Sequence, residues 1–209
     1  MTTILIVDDH NVVRQGIKQI LMEEYPAAIF GEAGGGNEAL ERIRMEHWDI
    51  VIMDITMPGK NGLDVLKQIK LDSIKTPVLF LSMHSENQYA IRILKAGAAG
   101  YLTKESASEE LITAIKTILS GRKYINASLA EKLAYNLETD TDKPLYELIS
   151  DRELQVLLMI ASGKTVSDIA LELCLSVATI STYRARILEK MDMKSNAELT
   201  HYAIRQGLV

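Results

Sequence analysis

The chain has 209 residues, of which 47% are apolar and 24% are charged, and it contains one cysteine, Cys174. This composition is typical of a folded protein with one or two domains, and it excludes a disordered chain, a coiled-coil rod and a disulfide framework. The net charge of −5 argues against a nucleic-acid binder when the chain is taken as a whole. With no signal-peptide pattern and no apolar run of membrane-spanning length, we expect a cytoplasmic protein that makes no contact with a membrane.

Residues 1–120 alternate short β-branched runs with segments of helical period. Five strands that alternate with five helices predict an α/β domain with a doubly wound, five-stranded parallel sheet, and we expect the flavodoxin-like strand order 2-1-3-4-5. Ser106 and Glu109 have the spacing of a capping box at the start of the fifth helix. The predicted strands cover residues 4–7, 28–32, 50–54, 78–81 and 100–102.

Residues 121–149 are predicted to be a linker with a short amphipathic helix near 128–137, and its polar stretch 138–144 has no period. Residues 150–209 predict a small all-α domain of four helices, with capping boxes beginning at Ser150 and Thr165. The short link 174–176 joins the second and third of these helices, which is the layout of a helix-turn-helix. Cys174 falls on the apolar side of the second helix and is predicted to be a core residue.

Five polar side chains stand at or just beyond the predicted carboxyl ends of strands: Asp8, Asp9, Asp54, Ser82 and Lys104. In the expected strand order the first and third strands are neighbours, so the three carboxylates should converge. Oxygen ligands favour a hard ion, and Mg²⁺ is the expected cofactor. A carboxylate beside Mg²⁺ can attack a phosphoryl group, whose oxygens Lys104 would neutralise and Ser82 would hydrogen-bond. Any one of these residues would also fit a solvated strand end, but all five at one edge favour a site.

This set, with Met57-Pro58-Gly59 after Asp54 and Tyr101 before Lys104, resembles the receiver domain of two-component response regulators over residues 1–120. The resemblance implies that Asp54 accepts a phosphoryl group from a sensor histidine kinase. It also implies a phosphoacceptor switch, not an enzyme, whose only catalysis is its own phosphorylation and dephosphorylation.

The same resemblance assigns roles to the neighbouring residues. Asp9, Asp54 and the backbone carbonyl of Thr56 are implied to bind Mg²⁺, with Asp8 bound through water. Ser82 and Tyr101 are implied to be a switch pair that moves on phosphorylation. Thr56 and His84 stand at positions where receivers vary, and they are implied to tune the lifetime of the phosphate. His10, beside the acidic pair, is interpreted as a surface or packing residue.

The third helix predicted in the second domain has two distinct faces on a helical wheel. Ile180, Tyr183, Ile187 and Met191 face the bundle. The opposite face is small and nearly uncharged and has basic flanks, which predicts a helix that reads bases in a major groove while its cations contact phosphates. The predicted DNA-contacting residues are Ala178, Ser181, Thr182, Arg184, Ala185, Arg186 and Lys190. The alternative is an ordinary solvated face, which would usually carry Glu and Lys.

Residues 150–209 resemble the LuxR-type helix-turn-helix of the NarL/FixJ group, through motifs such as Ser150-Asp151-Arg152-Glu153 and Asn196-Ala197-Glu198-Leu199. The resemblance implies a transcriptional regulator that binds double-stranded DNA and forms a homodimer when phosphorylated, through its last helix at 196–208. It also implies that the DNA domain is held against the receiver until then. Ala178 and Tyr183 stand where the family often has Lys and His, so we expect phosphate, hydroxyl and methyl contacts in place of cation–guanine pairs.

Two other functions fit parts of the pattern. An aspartate-nucleophile phosphatase would need Asp-x-Asp after the first strand, whereas Asp8 and Asp9 are adjacent. A DNA-binding protein with a silent receiver is the second alternative, and the complete acidic set argues against it. By region, residues 1–120 carry a charge of −4, residues 121–148 carry −1, and residues 149–209 are neutral, with +2 on residues 177–194. The acidic total is therefore no evidence against DNA, and a neutral DNA domain predicts weak binding as a monomer, with dimerisation as the point of control.

Overall fold

The computed structural model describes residues 1–82, 89–138 and 144–209. The chain divides into two compact units, Met1–Glu131 and Lys132–Val209. His84 and residues 139–143 of the predicted linker lie outside the described residues. The finer division at residues 120 and 150 stays a prediction.

The first unit contains a five-stranded sheet with the order β2-β1-β3-β4-β5, in which every pairing is parallel. The predicted α/β class and strand order are therefore confirmed. The strands are β1 (Thr3–Val7), β2 (Ile29–Ala33), β3 (Ile50–Asp54), β4 (Val78–Ser82) and β5 (Gly100–Thr103). The helices are α1 (Asn11–Glu24), α2 (Gly36–Met45), α3 (Gly62–Leu71), α4 (Tyr89–Lys95), α5 (Ala107–Leu119) and α6 (Ala127–Glu138), and α6 contains the boundary between the units.

The sheet is buried on both faces, as its continuous apolar strands predict. On one face Ile4, Ile6 and Ile52 pack in a cluster with Leu21 of α1 and Leu111 of α5. On the other face Phe80 approaches the start of α3 at Gly62. Helices cover both faces of the sheet. The polar residues at the ends of its strands therefore lie along its carboxyl edge.

The second unit contains helices and no strand within its described residues, and the predicted four-helix domain is confirmed. A single turn of 3₁₀-helix, Leu145–Leu148, comes before the four helices, inside the predicted linker. The capping boxes at Ser150 and Thr165 are both formed. The helices are α7 (Asp151–Ala161), α8 (Val166–Glu172), α9 (Val177–Lys190) and α10 (Asn196–Arg205).

Two local predictions are wrong. Ser106 has an α-helical backbone and its side chain donates a hydrogen bond to the Thr103 carbonyl, so it does not cap α5. Cys174 is exposed, because α8 ends at Glu172 and Cys174 takes a φ of 52° that turns the chain out of the helix. The apolar period of α8 therefore stops before Cys174.

No single helix among the described residues is long and apolar enough to span a membrane. The pair α8 and α9 reaches that length and composition only when taken together, and it is bent by 116° at the connection between them.

Candidate functional site

The register of the sheet brings two acidic strand ends side by side. Val7 lies opposite Met53, so Asp8 and Asp54 are the next pair of positions along neighbouring strands. Both side chains are buried. Two carboxylates at this separation repel each other in a region of low dielectric, so the pair requires a cationic partner.

Lys104 supplies that cation in the structure. Its Nζ donates to Asp8 Oδ2 at 2.6 Å and to Asp54 Oδ2 at 2.9 Å, and the backbone amide of Lys104 donates to the Ser82 carbonyl. Burial raises the pKa of Asp54 to about 6, and the Lys104 ammonium opposes that rise. Burial lowers the pKa of Lys104, but the charges and hydrogen bonds of Asp54 and Asp8 outweigh it, and the net pKa is raised. The lysine therefore stays charged, and it favours an ionised Asp54.

The acidic cluster also offers ligand atoms for a metal ion. Asp8, Asp9, His10 and Asp54 each present one such atom, and all four atoms lie within 4.8 Å of one another. Asp9 Oδ1 is buried and accepts no hydrogen bond in the described part of the chain; His10 Nδ1 lies 3.1 Å away, outside hydrogen-bonding geometry. A buried carboxylate oxygen without a donor is unfavourable unless a cation compensates it. The cluster therefore fits a hard divalent cation, which is the ion expected from the sequence.

The backbone of Asp54 packs closely against Gly62 at the start of α3. A Cβ added to Gly62 would lie 2.2 Å from the Asp54 carbonyl oxygen, so this position accepts only glycine at its present spacing. The Gly62 amide donates to the Ile55 carbonyl, and Asn61 Oδ1 caps α3 by accepting from the Asp64 amide. These contacts hold the start of α3 against the backbone of Asp54 and Ile55.

The structure describes the remaining predicted residues of this site except His84. Ser82 is the last residue of β4, and Tyr101 lies in β5; both are buried. The Thr56 amide lies 3.5 Å from Asp54 Oδ1, and the Thr56 hydroxyl is buried without a partner among the described residues. The roles given to these residues in switching, in phosphate lifetime and in metal binding through the Thr56 carbonyl stay predictions, as does that of His84.

Sequence reasoning missed two residues beside the cluster. The His10 amide donates to Asp8 Oδ1 at 2.8 Å, and its Nδ1 lies 3.3 Å from the same oxygen, although most of the side chain is exposed. Arg14 Nη1 donates to the Asp8 carbonyl at 2.7 Å. The available signal was position alone, since both residues follow the acidic pair within the next six residues.

The second predicted site is the face of α9. Ile180 and Ile187 are buried, as is Met191 directly after the helix, while Tyr183 is half-buried. The Ser176 hydroxyl caps α9 by accepting from the Thr179 amide. The predicted outward residues are all exposed, and these are Ala178, Ser181, Thr182 and Ala185. The wheel is confirmed except that Tyr183 is only partly covered.

The three flanking cations of α9 differ in their surroundings. Arg186 is exposed. Arg184 is half-buried, and its Nε donates to Asn196 Oδ1 of α10 at 2.5 Å. Lys190 Nζ donates at 2.7 Å to Glu153 Oε2 of α7, and the Glu153 carboxylate is almost completely buried. A structural partner therefore holds two of the three, and the DNA contacts assigned to them stay predictions.

Both halves of the chain match known protein families. Residues 4–116 match the response regulator receiver domain, and residues 147–203 match the luxR family of bacterial regulatory proteins. The chain is a response regulator with a luxR-family DNA-binding domain. The expected membership of the NarL/FixJ group is confirmed, and the chain belongs to the response regulators that regulate transcription.

Two relatives align with this response regulator along its whole length. It is 38% identical over 209 residues to the response regulator UvrY of Escherichia coli K12, covering all of this chain and 96% of UvrY. It is 36% identical over 210 residues to the response regulator GacA of Pseudomonas aeruginosa, covering all of this chain and 98% of GacA.

Solved structures support the same assignment. A LuxR-family two-component response regulator from an Aurantimonas species is 35% identical, with a TM-score of 0.60 over 66% of this chain and 99% of that one. RcsB from Salmonella enterica serovar Typhimurium, bound to the rprA promoter with a phosphomimetic, is 23% identical and covers both chains fully with a TM-score of 0.66. At that identity the likeness to RcsB shows the fold.

Proposed function

We propose that Asp54 is the phosphoacceptor of this response regulator and that Mg²⁺ binds at Asp8, Asp9, Asp54 and the Thr56 carbonyl. The observation that carries the proposal is the bridge from Lys104 Nζ to both Asp8 and Asp54, beside an Asp9 oxygen that accepts no hydrogen bond from any described residue. This combination provides a nucleophilic carboxylate, a fixed cation and an acidic cation site at one edge of the sheet. When bound, Mg²⁺ would offset the negative charge of the incoming phosphoryl group.

The chemistry at Asp54 is a single displacement at phosphorus. One Asp54 carboxylate oxygen forms the new O–P bond while the bond from phosphorus to the donor nitrogen breaks. The electron pair of that bond stays on the donor nitrogen, which takes up a proton, so a phosphohistidine returns as a neutral imidazole. Because the chain has a response regulator receiver domain, we infer a sensor histidine kinase as the phosphodonor partner.

Lys104 changes its role during this reaction. Before transfer its ammonium favours the ionised Asp54, which is the nucleophilic form. As phosphorus arrives, the same ammonium is placed to follow the developing charge on a phosphoryl oxygen. Hydrolysis later breaks the O–P bond by attack of water and restores Asp54. The catalysis is thus directed at the protein itself, and we propose no turnover of a separate substrate.

The test of this assignment is the Asp54→Asn variant incubated with Mg²⁺ and a small phosphodonor such as phosphoramidate. Intact-mass measurement should show one phosphoryl group on the wild-type protein and none on the variant. Asp64→Asn is the matched control, because Asp64 is an exposed acid in the first turn of α3. Phosphate that still appears on Asp54→Asn would show that another residue is the acceptor.

We propose that α9 enters a major groove, with Arg186 on phosphate and the small outward residues on bases. The Thr182 hydroxyl donates to the Ala178 carbonyl at 2.9 Å. With its proton engaged in this bond, the hydroxyl presents an acceptor and a methyl group to the groove. An acceptor suits the amino groups of adenine or cytosine, and a methyl suits the methyl of thymine.

We propose further that the phosphorylated protein binds DNA as a homodimer through α10. RcsB has been solved as dimers bound to DNA, and by analogy we propose a dimer on DNA for this chain. The neutral charge of residues 149–209 supports a monomer that binds weakly, so that pairing of two copies supplies the affinity. Because its target is bacterial DNA, we expect the regulator to act in the cytoplasm.

A further inference from the structure

The loop between β1 and α1 carries both Asp8 and Asp9, and one arginine holds it. Arg14 lies one turn into α1, and its side chain is only 16% exposed. Its Nη1 donates to the Asp8 carbonyl at 2.7 Å, its Nη2 to Asn11 Oδ1 at 3.0 Å, and its Nε to Glu32 Oε2 at 3.3 Å. A guanidinium is planar and rigid, so three partners around its edge fix its position and orientation.

The Asp8 carbonyl is the important one of these partners. That carbonyl belongs to the planar peptide unit that joins Asp8 to Asp9, so its direction sets the direction in which the chain enters Asp9. Asp9 Oδ1 accepts no hydrogen bond within the described part of the chain. The orientation of this carboxylate oxygen therefore depends on the direction of the backbone that Arg14 holds, together with the contact from His10 Nδ1 at 3.1 Å.

Glu32 anchors the arginine to the neighbouring strand. Besides Arg14, it accepts hydrogen bonds from Gln15 at 3.0 Å and from Lys18 at 2.9 Å. The hydrogen bond from Lys18 and that from Arg14 lower the pKa of Glu32, which keeps it ionised at neutral pH. The Asp8 amide donates to the Ala33 carbonyl at the end of β2, so the same strand fixes both ends of the arrangement.

We infer that Arg14 is a positioning residue that orients the Asp8–Asp9 peptide, and through it the Asp9 carboxylate, for the divalent cation. This inference rests on the proposed function and adds a residue that would act on the cation through Asp8 and Asp9, without contacting it directly. The expected change in cation affinity on removing Arg14 is opposite to the change that charge alone would cause. Removing a positive charge near a cation site should strengthen cation binding by electrostatics alone, whereas loss of the outer partners of a ligand typically weakens metal binding about 10- to 100-fold. For Arg14 the second effect should win.

The experiment compares Arg14→Met with Lys18→Met in the full-length protein. Both changes remove one positive charge and one Glu32 partner from α1, but only Arg14 contacts the Asp8 carbonyl. Binding of Mn²⁺ is measured by the loss of the free-ion electron paramagnetic resonance signal, with Mg²⁺ as competitor. Arg14→Met should weaken binding at least about tenfold, and Lys18→Met should leave it unchanged or slightly stronger.

Equal Mn²⁺ affinity in wild type and Arg14→Met would overturn the inference, and so would equal weakening in the two variants. If Arg14→Met fails to fold, Arg14→Lys decides, because a lysine keeps the charge but cannot reach all three partners at once; a wild-type affinity there overturns the inference. Phosphorylation of the wild-type protein is followed separately. If the wild-type protein binds metal and accepts phosphate, the proposed function stands even when Arg14 has no effect. If the wild-type protein binds no metal, both the proposed function and the inference about Arg14 are overturned.

Discussion

The ion pair between Lys190 and Glu153 provides a test of how α9 is held in the DNA-binding unit. Lys190→Met keeps most of the packing of the side chain and removes its charge. Glu153 is 2% exposed, and Lys190→Met would remove the cation from its carboxylate while leaving the hydrogen bond from the Ser150 amide. Breaking a fully buried pair costs about 3–5 kcal/mol and breaking a surface pair about 0–1 kcal/mol. Because the Lys190 side chain is 41% exposed, we expect a cost between these values, about 2 kcal/mol.

The pH dependence of this effect follows from Glu153. Burial raises the pKa of Glu153, but hydrogen bonds from Lys190 and Ser150 outweigh it, so the net pKa is lowered. A lowered pKa means that the stabilisation is complete above the pKa of the unfolded chain, about 4.3, and is lost as the pH falls through the folded-state pKa. The difference between wild type and Lys190→Met should therefore be full at pH 7 and shrink below about pH 4.

Amide hydrogen exchange in the full-length protein measures the effect locally, which suits a chain with two folding units. A loss of about 2 kcal/mol should speed exchange in α7 and α9 roughly 30-fold at neutral pH. Lys164→Met is the matched control, because Lys164 pairs with Glu172 and both side chains are exposed, at 39% and 46%. If Lys190→Met and Lys164→Met change exchange by the same small factor, the buried Glu153 carboxylate does not depend on Lys190 for its stability.

Three further predictions concern the two sites. Lys104→Met should reduce phosphate incorporation from a small donor at least about tenfold, and an unchanged rate would remove Lys104 from the mechanism. Arg186→Ala should weaken binding to every DNA sequence and flatten the salt dependence by about one unit, whereas Thr182→Ala should relax base preference without altering that slope; the opposite pattern in a titration against matched and scrambled duplexes would reverse the two roles. Gly62→Ala places a Cβ against the Asp54 carbonyl oxygen and should cost about 1–3 kcal/mol. Urea unfolding followed by the single tryptophan measures that cost, and an unshifted midpoint would mean that the turn relaxes freely.

The sheet and its acidic edge could be predicted because their causes are local and repeated. Alternation of strands and helices leads to a parallel sheet, and a parallel sheet collects its carboxyl ends at one edge. The side chains of Asp8, Asp54 and Lys104 therefore lie in contact, as expected from the strand order. The outward face of α9 was predictable for the same reason, since a helical period decides which side chains pack inward.

The contacts of long side chains could not be predicted in this way. Arg14 contacts both the Asp8 carbonyl and Glu32, and Lys190 of α9 contacts Glu153 of α7. The spacing of these residues in the sequence does not specify the rotamers that bring them together. Helix ends were the other weak point. Cys174 has a small apolar side chain, which the period assigned to the core, but the left-handed turn after α8 carries it to the surface.

We propose that phosphorylation of Asp54 controls binding to DNA. The most direct measurement is the affinity of the full-length protein for a duplex that carries its binding site, with and without a phosphodonor and Mg²⁺, for wild type and for Asp54→Asn. We predict that phosphodonor strengthens wild-type binding at least about fivefold and leaves Asp54→Asn unchanged. Equal wild-type affinity in both conditions, at full phosphorylation confirmed by mass, would show that phosphorylation of Asp54 does not control DNA binding.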